Sequence, residues 1–124
     1  MPRVLVVDDE PRVARALEFA LASSELELVS VTDAGQLEPA AAKDRPDAIL
    51  LDIGLKSENG LDVCRRLKSD ARFQDIPVLL LSGQTDAATK AAGLEAGADD
   101  FISKPFVPVE LLARINAQLR KRAR

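Results

Sequence analysis

Four short apolar runs in this chain each end on a charged or hydroxyl-bearing side chain, and helical spacing fills the stretches between them. Val4, Leu5, Val6 and Val7 lead into Asp8 and Asp9; Ala48, Ile49, Leu50 and Leu51 lead into Asp52. Val78, Leu79, Leu80 and Leu81 lead into Ser82 and Gly83; Phe101, Ile102 and Ser103 lead into Lys104 and Pro105. Short apolar runs alternating with helices predict a parallel sheet covered on both faces, because the crossovers that join parallel strands pack over them. Parallel strands share one carboxyl edge. That edge then carries three carboxylates, a hydroxyl and an ammonium.

The intervening segments fit this α/β plan. Val13, Ala16, Leu17, Ala20 and Leu21 fall on one helical face, and Asp9 or Glu10 before Pro11 is a good helix start. Proline in a first turn gives up no needed donor. Leu26, Leu28 and Val31 predict a weaker, partly exposed strand. A short helix is expected from near Leu37 with Pro39 in its first turn, and Arg45, Pro46 and Asp47 break the chain before the next buried strand. Leu61, Cys64, Leu67 and Lys68 belong to a helix after Gly60. Residues 87–96 are helical in composition, although Gly93 weakens that helix by about 1 kcal/mol relative to alanine. Leu111, Leu112, Ile115 and Leu119 give the last helix its apolar stripe. Right-handed crossovers are the strong default.

The bulk properties narrow the function classes. A length of 124 residues suits one domain, read here as spanning 1–124. A net charge of -3 and an aromatic content of 3%, with no Trp or Tyr, argue against direct nucleic-acid binding by this chain. Cys64 has no internal disulfide partner and reads as a small core hydrophobe in a reducing setting. No apolar run approaches the roughly 20 residues that span a membrane. Met1, Pro2 and Arg3 enter a strand at once, so no leader is expected and the domain reads as cytoplasmic.

Each site residue has an ordinary explanation when taken alone. Asp8, Asp9 and Glu10 before Pro11 can be a helix start with favourable dipole placement. Asp52 can be a turn residue after a buried strand, Ser82 an ordinary strand exit, and Lys104-Pro105 a turn. Their joint occurrence, in order, at the ends of four runs points to chemistry. Three carboxylates at one edge repel and call for a cation, and hard oxygen ligands with open positions suit Mg²⁺. Asp52 is the candidate nucleophile, since a carboxylate can carry a phosphoryl group as a mixed anhydride.

The acid pair, the lone Asp52, Ser82-Gly83 and Lys104-Pro105 resemble the receiver domain of two-component response regulators, of the chemotaxis-regulator type, over nearly the whole chain. The resemblance implies a flavodoxin-like, doubly wound (βα)5 fold with a five-stranded parallel sheet in the order 2-1-3-4-5. It implies Mg²⁺ held by Asp9, Asp52 and the backbone carbonyl of Gly54, with Asp8 acting partly through water. Lys104 would pair first with Asp52 and then with the phosphoryl oxygens. Ser82 would swing to the phosphoryl group and Phe101 would rotate into the vacated space, a two-state packing switch. A cis peptide at Lys104-Pro105 is also implied. The implied partners are a sensor histidine kinase or phosphotransfer protein upstream and an effector protein or output domain downstream. In this reading the chain is a phosphoprotein in a phosphorelay, not a turnover enzyme, although it assists its own phosphorylation and dephosphorylation.

The chain departs from that pattern at several positions. Many receivers place a proline four residues after the phosphoacceptor, where this chain has Lys56. Gly54 and Gln84 occupy positions that tune phosphoryl lifetime, and Gly54 has no side chain to shield the group, so a short lifetime is expected. Asp99, Asp100, Lys90, Glu110 and Arg114 match a homodimer face built from the fourth helix, fifth strand and fifth helix. Ala117 stands where an arginine would pair with Asp99. Residues 120–124 read as a fraying basic helix end or the start of a linker to an output domain. The alternative function is a phosphorylation-independent interaction module on the same fold. An aspartyl-phosphate hydrolase is disfavoured by Gly54, where such enzymes carry a second Asp. Flavin binding is disfavoured by the acids after the first strand.

Overall fold

The computed structural model describes residues 1–84 and 86–122. Five strands alternate with five helices: β1 (Arg3–Val7), α1 (Pro11–Leu21), β2 (Glu27–Val31), α2 (Leu37–Lys43), β3 (Ala48–Asp52), α3 (Gly60–Ser69), β4 (Val78–Ser82), α4 (Ala87–Glu95), β5 (Asp100–Ser103) and α5 (Pro108–Arg122). All pair in parallel, in the order β2-β1-β3-β4-β5. This is the α/β architecture and strand order implied by the resemblance. The order reverses between β1 and β3, which opens a crevice at their carboxyl ends.

Side chains alternate across the sheet and build two cores. Leu5, Val7, Ile49, Leu51 and Leu80 pack with Leu37 of α2 and with Val63, Cys64 and Leu67 of α3. Val4, Val6, Leu50, Leu79, Leu81 and Ile102 pack with Leu17 and Leu21 of α1 and Leu111 and Ile115 of α5. Each fully buried aliphatic side chain contributes about 1.5–3 kcal/mol of transfer free energy. β3 and β4 are buried at every residue, whereas β2 at the sheet edge is half-buried or exposed throughout.

Some details differ from the sequence expectations. A 3₁₀ turn over Ala34–Gln36 precedes α2, opened by the Asp33 carboxylate accepting the Gly35 N–H at 2.7 Å. Phe73 and Ile76 are buried in the non-helical stretch before β4, where no periodicity marks them. Ala16 is exposed, not part of the α1 core face. Gly93 is the one buried residue of α4. Residues 123 and 124 of the basic end lie outside the described residues. Among the described residues no helix is long and apolar enough to cross a membrane.

Candidate functional site

The strand ends converge as the run pattern requires. Asp52 is the last residue of β3 and only 2% exposed. Its Oδ1 accepts the Gly54 N–H at 2.9 Å and its Oδ2 accepts from Lys104 Nζ at 2.7 Å. Asp8 follows β1 and is also 2% exposed; its Oδ1 accepts the Glu10 N–H at 2.8 Å. Asp9 Oδ2 accepts the Lys56 N–H at 2.6 Å. Asp8 Oδ2 and Asp9 Oδ1 are buried without a hydrogen-bond partner.

Carboxylate oxygens of Asp8, Asp9 and Asp52 lie within 4.8 Å of one another. Lys104 approaches Asp8 Oδ2 to 4.0 Å, so one ammonium lies within ion-pair reach of two of the three clustered carboxylates. Burial pushes the Asp8 carboxyl up to about 6. The Asp52 charge adds to that rise, while the Glu10 amide and Lys104 oppose it. Buried polar atoms are normally satisfied, so two orphaned carboxylate oxygens in an acidic cluster leave acceptors that a cation could take up. Their hardness and spacing fit a small divalent cation such as Mg²⁺.

Ser82 ends β4, is 5% exposed, and its Oγ accepts the Gln84 N–H at 3.0 Å. The backbone N–H of Lys104 bonds the Ser82 carbonyl at 2.8 Å, which ties the β5 exit to the β4 exit. The Lys104–Pro105 peptide is cis. Phe101 on β5 is half-buried against the inner core, with its ring over Gly93 of α4. A cleft of about 400 Å³ opens beside Asp52, lined by Glu10, Gly54, Ser82, Gln84 and Lys104.

The structure brings Asp8, Asp9, Asp52, Gly54, Ser82, Gln84 and Lys104 together at this edge, with Phe101 on the neighbouring β5, whereas Lys90, Asp100, Glu110 and Arg114 lie on α4, β5 and α5 away from the cleft. Gly54 enters through its amide, on Asp52, and lines the cleft. Three contributors escaped the sequence reading. Glu10 lines the cleft, and its place directly after Asp9 was the available signal. The backbone N–H of Lys56 reaches Asp9 across the crevice, and Gly60 presses on the backbone of Asp52; neither contact has a sequence signature.

The sequence profile described as the response regulator receiver domain matches residues 4–116. The chain is 42% identical over 119 residues to the DNA-binding response regulator MtrA of Mycolicibacterium smegmatis, covering 96% of this chain and 51% of that protein. It is 45% identical over 121 residues to the transcriptional regulatory protein PrrA of Mycobacterium tuberculosis, covering 98% of this chain and 51% of that protein. The chain thus spans about half the length of these curated relatives. Among solved structures it resembles the BeF3-activated N-terminal receiver domain of Klebsiella pneumoniae RstA, with a TM-score of 0.87 and 30% identity, covering 95% of this chain and 98% of that one. Fold, strand-end chemistry and these likenesses converge: the chain belongs to the response regulator receiver-domain family of two-component signalling.

Proposed function

We propose that the chain is a phosphorylation-controlled switch that accepts a phosphoryl group on Asp52 from a histidine of a sensor kinase or phosphotransfer protein. One observation carries the reading: the Asp52 carboxylate is buried at a strand end between a lysine ammonium and two acids with orphaned oxygens. An Asp52 oxygen attacks phosphorus, the P–N bond to the donor imidazole breaks, and the bond's electron pair leaves with the imidazole. Asp9, Asp52 and the Gly54 carbonyl would hold Mg²⁺, with Asp8 contributing charge. When bound, that ion supplies positive charge to the transferring phosphoryl oxygens.

Lys104 loses its partner oxygen on Asp52 as the mixed anhydride forms and turns to the phosphoryl oxygens, which keeps the ammonium paired. Ser82 keeps its O–H as a donor because its Oγ presently accepts from Gln84. Its swing toward the phosphoryl group, followed by Phe101, shifts the packing of α4 and β5, and an effector protein or output domain reads that change. The groove lined by Val13, Ala16 and the exposed Phe19 of α1 and by Lys104 and Phe106 shares Lys104 with the cleft and offers a phosphodonor protein an apolar seat. The DNA-binding role in the MtrA name is expected to reside outside this acidic chain.

Intact-mass spectrometry after incubation with acetyl phosphate tests the reading. A single phosphoryl adduct is expected with Mg²⁺, and none with a chelator or in Asp52→Asn. No adduct at short times, with beryllofluoride leaving the NMR spectrum unchanged, would favour the phosphorylation-independent module.

A further inference from the structure

We infer that Lys56 is a positioning residue for the metal carboxylate Asp9, acting through its backbone N–H and not through its side chain. The inference rests on the reading of Asp9 as an Mg²⁺ ligand. Asp9 has two oxygens in unlike surroundings: Oδ2 accepts the Lys56 N–H at 2.6 Å, and Oδ1 is buried with no partner. A carboxylate held by one oxygen has its rotation restricted and the other oxygen left free for a cation, and a carboxylate oxygen of Asp9 lies within 4.8 Å of those of Asp8 and Asp52. Outer hydrogen bonds of this kind orient metal ligands and typically alter affinity 10–100-fold when lost.

The donor exists because of the residue type. A proline, the residue many receivers carry four positions after the phosphoacceptor, has no N–H and could not make this bond. The exchange of proline for lysine gives up a rigid φ and adds a donor. The loop has other means of staying in place. Glu58 pairs with Arg66 of α3, and Arg66 also grips Glu38 of α2 through two nitrogens, at 2.7 and 3.2 Å. Asn59 Oδ1 caps α3 by accepting the Leu61 N–H at 2.8 Å, and the Gly60 N–H bonds the Ile53 carbonyl at 3.0 Å. With residues 58–60 anchored, the amide of Lys56 is presented to Asp9 from a braced loop.

The test compares Mg²⁺ affinity by isothermal titration calorimetry in the wild type, Lys56→Ala and Lys56→Pro. Alanine keeps the amide and is expected to bind within about two-fold of wild type; proline removes it and is expected to bind at least about ten-fold more weakly. Thermal melts followed by circular dichroism show whether the proline variant retains the fold. Amide hydrogen exchange supplies an independent readout in the folded wild type. The Lys56 N–H is expected to be protected, and to lose that protection in Asp9→Ala. Equal binding by the proline and alanine variants, equal loss in both, or an unprotected Lys56 amide would each overturn the inference while leaving the acidic-pocket reading intact. A wild type that binds no Mg²⁺ would overturn both.

Discussion

Asp8 bears an electrostatic load that its sequence neighbours do not reveal. It is buried, faces Asp52 and Asp9, and has only the Glu10 amide and the 4.0 Å approach of Lys104 in its favour. Its carboxyl, raised from 3.8 to about 6, binds a proton more readily in the folded chain than in the unfolded one. The native state therefore holds more protons between those values, so this contribution to stability is fully present below pH 3.8 and is lost as pH rises through about 6. The size is on the order of 3 kcal/mol at 1.36 kcal/mol per pH unit. In metal-free buffer, Asp8→Asn should match the wild type near pH 3.5 and exceed its urea-unfolding stability by up to about that amount at pH 7.5. Comparing the two proteins cancels groups such as Asp70, whose carboxyl the Arg72 guanidinium holds below its usual range and whose pH dependence runs the other way. A wild type whose stability tracks that of Asp8→Asn across this range would show that the Asp8 charge costs the fold nothing.

The join between β3 and α3 shows how tightly two elements confine the phosphoacceptor. A Cβ built on Gly60 would lie against the Asp52 carbonyl oxygen and 2.6 Å from Ile53 Cα, both of them backbone that cannot rotate away. Gly60→Ala must push α3 off the strand end, and overpacking of this kind costs about 1–3 kcal/mol. A melting temperature within a degree or two of wild type would refute that placement. Sequence patterning located the elements well where the signal was local. Pro39 fell in the first turn of α2, and the apolar runs gave four of the strands. It failed where tertiary packing decides. The burial of Phe73 and Ile76 has no periodicity to announce it, and the 3₁₀ turn depends on one Asp33 carboxylate finding an amide two residues on. Gly93, read as a helix-weakening residue, is the surface on which α4 meets Leu80 and the Phe101 ring. There the close approach outweighs the propensity of about 1 kcal/mol.

The site as a whole was legible because parallel topology sends every strand end to one edge, so residues far apart in sequence need only follow a strand to meet. Asp9, Asp52 and Lys104 are readable in that way; the amides of Lys56 and Gly54 are not, since every residue carries one. The same limit applies to the face formed by α4, β5 and α5, where charged residues in sequence suggested a homodimer. In the folded chain four of those charges, Asp99, Asp100, Glu110 and Arg114, already have partners. Lys68 Nζ holds Asp99 at 2.7 Å, and Asp99 also accepts the Val78 N–H at 2.8 Å. Arg114 Nη1 spans both oxygens of Asp100 at 2.9 and 3.1 Å, and its Nε holds Glu110 at 3.0 Å. A dimer through these groups would trade internal ion pairs for external ones, and exposed pairs contribute only about 0.2–1 kcal/mol each. That exchange leaves little to offset the loss of translational and rotational freedom on association, which costs roughly 4 kcal/mol or more. The unphosphorylated chain should therefore sediment as a monomer at tens of micromolar, at low and high salt alike. A salt-insensitive dimer under those conditions would show that exposed apolar residues such as Leu94 and Val109, not the charges, drive association.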